Sequence, residues 1–437
     1  MSAAINPATE SENGARIAGE RRSQRLVTAF VISGLAFMLL PGTFLGVWNL
    51  LDISRGHGPE AVPQARLQAH GQAQIFGWIG SFILGIGFYS LTKMNGTRAF
   101  PARAGWVAWG LWTTGVSLRW IGGVADDGWR ALLPISAALQ LAGFVAFYMS
   151  VRRHPPAGTG TKDKTKDNAW MRLVACASLA FLVALAVNGW LLVEQAVHGS
   201  SPALPHLTDQ QFIVLALWGV LVPTIWGFNA HWLPVFLGLQ APKPKTLYAA
   251  YVLSATGVIA TFLQRLPFAE IAFLLAALLA IDALNVWKRS IHPPKLLNVH
   301  PSFPSFVRLA YGWLLVSCVL GIIAIRWDFS GGIWGASRHA ITVGFVAVMV
   351  FAIGQRVLPA FCGMRILWST GLMAWSLYLL FAGCLLRVIA EPLAYEHIWT
   401  PAWRILPISA VVELAAVSLF ALNIGVTVFR PRSSQAI

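Results

Sequence analysis

Two histidines offer this chain its most specific chemistry. His70 and His339 each stand near the start of a long apolar stretch, and the stretches align: His70, Phe76 and Gly85 fall in register with His339, Phe345 and Gly354. Two neutral imidazoles from facing helices can hold a haem iron from both sides, which makes haem b the expected cofactor. An interfacial histidine or a proton-linked site is the competing use of either residue. Haem propionates call for cations at a matching depth. Arg119, Arg338 and Arg387 stand there, although snorkelling to lipid headgroups would also explain each.

A third histidine belongs to another echo. Gly227 to Leu239 matches Ala352 to Met364 at Leu233, Pro234, Phe236 and Gly238, so the counterpart of His231 is Arg356. That exchange suits an anion-binding or hydrogen-bonding role as readily as a metal. Copper at His231 would need further His, Cys or Met ligands, and Cys362 and Met364 lie near the same end of the matching stretch. Glu413 is the acid set deepest in an apolar stretch. It is either a structural partner for an arginine or part of a proton path, as in a secondary transporter.

These residues must be positioned by membrane spans. Of 437 residues, 57% are hydrophobic and 11% charged, a composition that belongs to an all-α polytopic membrane protein in a lipid bilayer. Twelve spans are expected, at 26–49, 68–92, 104–122, 130–151, 171–197, 210–238, 246–264, 268–287, 306–325, 336–361, 367–389 and 404–429. The first begins near Leu26, is of full spanning length and lacks a small-residue cleavage motif, so it is expected to stay uncleaved. Residues 1–25 form a polar N-terminal tail, 154–169 a flexible linker and 430–437 a C-terminal tail, all expected in the cytoplasm. The echoes fall on spans two, six and ten, which predicts three pseudo-equivalent four-helix units.

The net charge of +15 marks topology rather than a nucleic-acid partner. With both termini inside, most Lys and Arg fall in cytoplasmic loops, while Asp52, Glu60, Asp126, Asp127, Asp209, Asp328, Glu391 and Glu396 collect outside. His70 and His339 then share a depth, two or three residues in from the outer ends of their spans. Asp282 lies near the inner interface, where solvation suffices for it. Pro234 and Pro359 mark kinked or terminating helix ends. Most tryptophans lie at span ends, where interfacial anchoring explains them. The four cysteines are scattered over different spans with no CxxC or CxxCH. That argues against attached c-type haem, iron–sulfur clusters and disulfides, and leaves them as buried small apolar residues.

Three motifs carry a resemblance. AHGQAQIFGWIGSFILGIGFY (69–89), WGFNAHWLPVFLGL (226–239) and RHAITVGFVAVMVFAIGQRVLPAF (338–361) resemble the NnrS family. That resemblance implies a twelve-span bacterial inner-membrane protein of the nitric oxide response, containing haem and copper. The chain is more distantly similar to the catalytic subunit of haem–copper oxidases, where twelve helices form three arcs and histidines on helices two and ten hold a low-spin haem. His70 and His339 fit that pair. The similarity also marks a departure, since the oxidase reaction centre needs more histidines on helices six, seven and ten. Here 246–264 has none and span ten has only His339, so no complete oxidase-type centre and no obvious copper ligand set is expected.

The implied function is haem-based, in nitrosative-stress or denitrification-linked metabolism, with nitric oxide or another diatomic as a possible ligand. A secondary transporter built around Glu413 is the rival. Cysteine-accessibility labelling tests the topology: cysteines replacing His57 and Lys162 should label from outside and inside respectively. Labelling of both from one side would refute twelve spans.

Overall fold

The computed structural model describes residues 7–94, 102–125, 127–152 and 169–430. They form twelve long helices and no β-strand. These are α1 (7–56), α2 (64–94), α3 (Ala102–Val124), α4 (Trp129–Arg152), α5 (Ala169–His198), α6 (206–237), α7 (Pro244–Phe262), α8 (Leu266–Ala283), α9 (Phe303–Trp327), α10 (332–361), α11 (Thr370–Tyr395) and α12 (Ala402–Phe429). Ten are both long and apolar enough to cross a membrane, all except α3 and α7. An all-helical bundle is what a bilayer demands, since a helix satisfies its backbone donors and acceptors within itself.

The helices pack in chain order and close into a ring. α12 returns to α1, where Trp403, Leu406 and Ala410 cover Val47, Leu50 and Ile53. Within each group of four, the first and third helices touch. Trp109 Nε1 of α3 donates to Ser33 Oγ of α1 at 2.9 Å, Arg172 Nε of α5 donates to Tyr248 Oη of α7 at 2.8 Å, and the Trp313 ring of α9 lies 5.7 Å from Phe381 of α11. These contacts push the second helix of each group inward. In their most apolar stretches, 78, 67 and 78% of the residues of α2, α6 and α10 are buried, against 33–50% for the other spans. The three inner helices meet one another. Phe76 of α2 stacks on Phe212 of α6 at 5.9 Å, Trp78 of α2 meets Phe351 of α10 edge-on at 6.0 Å, and Asn229 Nδ2 of α6 reaches Met349 Sδ of α10 at 3.6 Å.

The inner helices share a second feature. Each contains a π-helical segment, 73–80 in α2, 215–221 in α6 and 340–347 in α10, with a further one at 38–44 in α1. The register that aligns Leu233 and Pro234 with Leu358 and Pro359 also aligns Leu215 with Ala340, so the segments of α6 and α10 start at matching places. π turns admit one extra residue and recur at functional sites. Together with the burial pattern, they support three related four-helix units.

Several expectations need adjustment. The polar segment before Leu26 is helical from Pro7, because a helix nucleated in the span propagates cheaply into residues that carry no proline. The linker 154–169 lies outside the described residues except for Ala169, which opens α5. Asp209 and Glu391 stand within α6 and α11 rather than in outer loops. Cys176 is exposed on α5, whereas Cys318, Cys362 and Cys384 are buried. Trp112 and Trp226 are fully buried in mid-helix rather than interfacial, and Trp112 Nε1 donates to Ser81 Oγ at 3.1 Å. Asp282 is exposed but not merely solvated, since Lys243 Nζ donates to both its oxygens at 2.9 and 2.7 Å and so ties α8 to the start of α7. Pro234 and Pro359 do sit in the last turns of α6 and α10.

A polar knot secures the end of α10 opposite the histidine. Asn423 of α12 is fully buried. Its Nδ2 donates to Gln355 Oε1 at 2.7 Å and to the Ser369 carbonyl at 2.8 Å, and its Oδ1 accepts from the Ser369 amide at 3.0 Å. Asn423→Leu would strand these partners at about 1–3 kcal/mol for each buried unsatisfied group. The expected outcome is a clearly lowered midpoint of thermal unfolding in detergent with insertion intact, while Thr427→Ser should leave the midpoint within error.

Candidate functional site

His70 lies six residues into α2 and His339 seven into α10, deeper than the apolar boundaries alone suggest because both helices begin about a turn earlier. In each helix a π segment starts within three residues of the histidine. His70 Nδ1 donates to the Gly42 carbonyl of α1 at 2.9 Å, and His339 Nδ1 donates to the Gly335 carbonyl one turn back at 3.0 Å. A carbonyl accepts only, so both rings carry their proton on Nδ1. In the neutral rings Nε2 then holds the lone pair, and neither Nε2 has a hydrogen-bond partner among the described residues. That is the tautomer a metal-ligating imidazole adopts. The third inner helix carries Val214 at the place in register with His339. The centre therefore presents a pair of imidazoles rather than a triad.

The two rings share an electrostatic environment, as both His339 and Arg387 act on His70. Both are partly accessible although set within the bundle; His339 keeps 29% of its side-chain surface. The His70 ring rests against α1 at Gly46. A Cβ there would lie 2.6 Å from its Cε1 and 2.9 Å from its Nδ1, so only glycine leaves the ring where it is. Ala69, beside His70, packs on Gly123 of α3.

The acid that completes the site was not apparent from the sequence. Glu391, read there as an outer-loop acid, is 5% exposed. Its Oε2 lies 3.2 Å from His339 Nδ1. Arg387, one turn earlier on α11, holds it from the other side, with Nε to Oε2 at 3.1 Å and Nη2 to Oε1 at 3.3 Å. A Cβ at Gly335 would collide with Oε1, so α10 and α11 approach closely here. A carboxylate on Nδ1–H orients an imidazole and makes its other nitrogen a stronger donor to a metal. The spacing of Arg387 and Glu391 is the signal that could have revealed the pair.

The other cations gather at the same level. Arg119 is 1% exposed, and its Nε and Nη1 have no hydrogen-bond partner among the described residues; the same holds for Nη1 of Arg387. Arg338 Nη1 donates to Gln210 Oε1 of α6 at 2.6 Å. Asp209 lies within electrostatic range of Arg119 and Arg338. Glu413 of α12 sits against Gly383 and within range of His339, Arg387 and Glu391, with Oε1 unpartnered. Expected separately, these residues are brought into one neighbourhood.

His231 does not join it. Its ring packs on Trp170 of α5 at 4.7 Å. Its counterpart Arg356 lies over the Phe236 ring at 4.2 Å and near that of Phe303 at 5.6 Å. Both positions thus place a cationic or aromatic group on an aromatic face. No group of three or more His, Cys, Asp or Glu among the described residues is arranged to hold a metal ion, so neither His231 nor Cys362 belongs to such a cluster. His231→Arg is expected to leave the visible absorption spectrum of the purified protein unchanged. Loss of a band would make His231 a ligand.

The family model described as NnrS protein matches residues 28–432, from the first span through the last. No curated protein matches the chain. Family membership supports a part in the nitric oxide response. This multi-pass membrane protein belongs to the NnrS family.

Proposed function

We propose that the chain is a haem b protein of the bacterial inner membrane, with both termini in the cytoplasm, acting in nitrosative-stress or denitrification-linked metabolism. One observation carries this reading. Two imidazoles on two inner helices each commit Nδ1–H to a backbone carbonyl and leave Nε2 free. The residues fit a haem at its anionic edge as well. Arg119 and Arg387 are buried with unpartnered N–H groups that propionate oxygens would satisfy, and Arg338 stands at the same level. The bound group would supply a one-electron redox couple tuned by its axial ligands.

The chain's own residues do the rest. Gly46 makes room for the His70 ring. Glu391 orients His339 through its Nδ1, while Arg387 pairs with that carboxylate in an apolar setting. Among the described residues no group of three His, Cys, Asp or Glu stands ready to hold copper, and no step is assigned to it. A secondary transporter is less well supported. The units repeat every four helices rather than in halves of six, and Glu413 lies beside the histidine cluster instead of alone.

Optical spectroscopy of the purified protein tests the reading. A low-spin Soret and α-band spectrum is expected, lost in His70→Ala and in His339→Ala while both variants still insert. Gly46→Val, which removes no ligand, should also perturb it by displacing His70. Glu391→Gln should keep the low-spin spectrum but bind haem about 10–100-fold more weakly. A colourless wild-type protein, or a wild-type spectrum in either histidine variant, would refute the assignment.

A further inference from the structure

Where α2, α6 and α10 meet, the packing leaves a cavity of about 80 Å³. Its wall includes Ile83 of α2, Phe228 of α6 and Val350 of α10. It lies along the same helices as the histidines but farther from the histidine end. Ile79, at its near edge, is nine residues beyond His70, or about 14 Å at 1.5 Å per residue. Thr224, Asn229 and Trp232 are the lining side chains with hydrogen-bonding groups. Asn229 turns its N–H donors away, to Tyr311 Oη at 2.8 Å and Met349 Sδ at 3.6 Å.

Such a space is poorly suited to water. A buried water makes about three hydrogen bonds, and the surface that the wall exposes to the cavity is almost wholly apolar, which falls short of that. Apolar cavities stay dry and bind apolar guests, and one of about 150 Å³ takes benzene or xenon. A cavity of about half that size, partly open past Ile83, Ile225 and Val350, excludes a ring but admits a single small molecule. We infer that the junction of the three inner helices is a binding site for a small apolar gas molecule, a neutral diatomic in size and polarity. The site stands apart from the imidazole pair and does not depend on whether that pair holds haem.

Xenon is the probe, because it matches the guest in size and lack of polarity and is visible by anomalous scattering. Crystals of the full chain pressurised with xenon should show one atom between Ile83, Phe228 and Val350. Val350→Phe places a ring in the cavity and should abolish that peak. Val350→Leu adds a single methylene and should at least halve its occupancy, which keeps the test open should the larger side chain prevent folding. Ordered water at the junction, absence of xenon from the wild type, or undiminished occupancy in the variant that folds would overturn the inference. None of these readouts uses haem content, so failure here leaves the axial-ligand assignment untouched and the reverse also holds.

Discussion

A guanidinium and a carboxylate inside a membrane bundle persist only while each keeps the other, since removing one partner of a buried pair costs about 3–5 kcal/mol. Arg387 and Glu391 satisfy that condition one helical turn apart on α11, and the carboxylate has a second partner in His339 on α10. The pair therefore fastens α11 to an inner helix at the level of the histidines. The close approach it requires explains the glycine at 335, where any side chain would meet the carboxylate. Beside this contact α12, with Glu413, packs on α11 and on α1.

The second organising constraint is the three-unit plan. Each group of four helices brings its first and third members together and thereby drives its second to the centre. Chemistry-bearing residues on a second helix are then surrounded by protein rather than lipid. Of the three, α2 and α10 carry histidine, whereas α6 carries valine at the corresponding place. A related set of units has thus been made asymmetric, with an imidazole pair on one side of the central axis. π segments begin within three residues of both histidines, and glycine carbonyls of α1 and α10 accept their Nδ1–H groups.

Some polar groups elsewhere in the bundle are satisfied internally. Asn423 closes a network among α10, α12 and the start of α11. Buried nitrogens of Arg119 and Arg387 lack partners among the described residues, as do those of Arg356 farther along α10. An unpartnered buried N–H group is costly, so such nitrogens call for an acceptor.

The amino-acid sequence by itself determined the number and order of the helices, the grouping by fours and the family. Each of these depends on hydropathy or on motifs read along one strand of chain. It also pointed to His70 and His339, because matched residues on repeated spans share a depth whatever the packing. It misjudged Glu391 and Asp209, since an acid near the end of an apolar run looks the same whether its helix stops there or continues one more turn. The clamp on His339 joins residues 52 positions apart on different helices, and the fit of His70 to Gly46 depends on the angle at which α1 crosses α2. Such contacts are set by side-chain packing between helices. The central cavity is likewise a property of three helices at once, and no one of them contains a pattern that foretells it. Tertiary structure alone decided that His231 stacks on Trp170 instead of joining the cluster, because a histidine on an inner helix can turn to either of two neighbours and only their side chains choose.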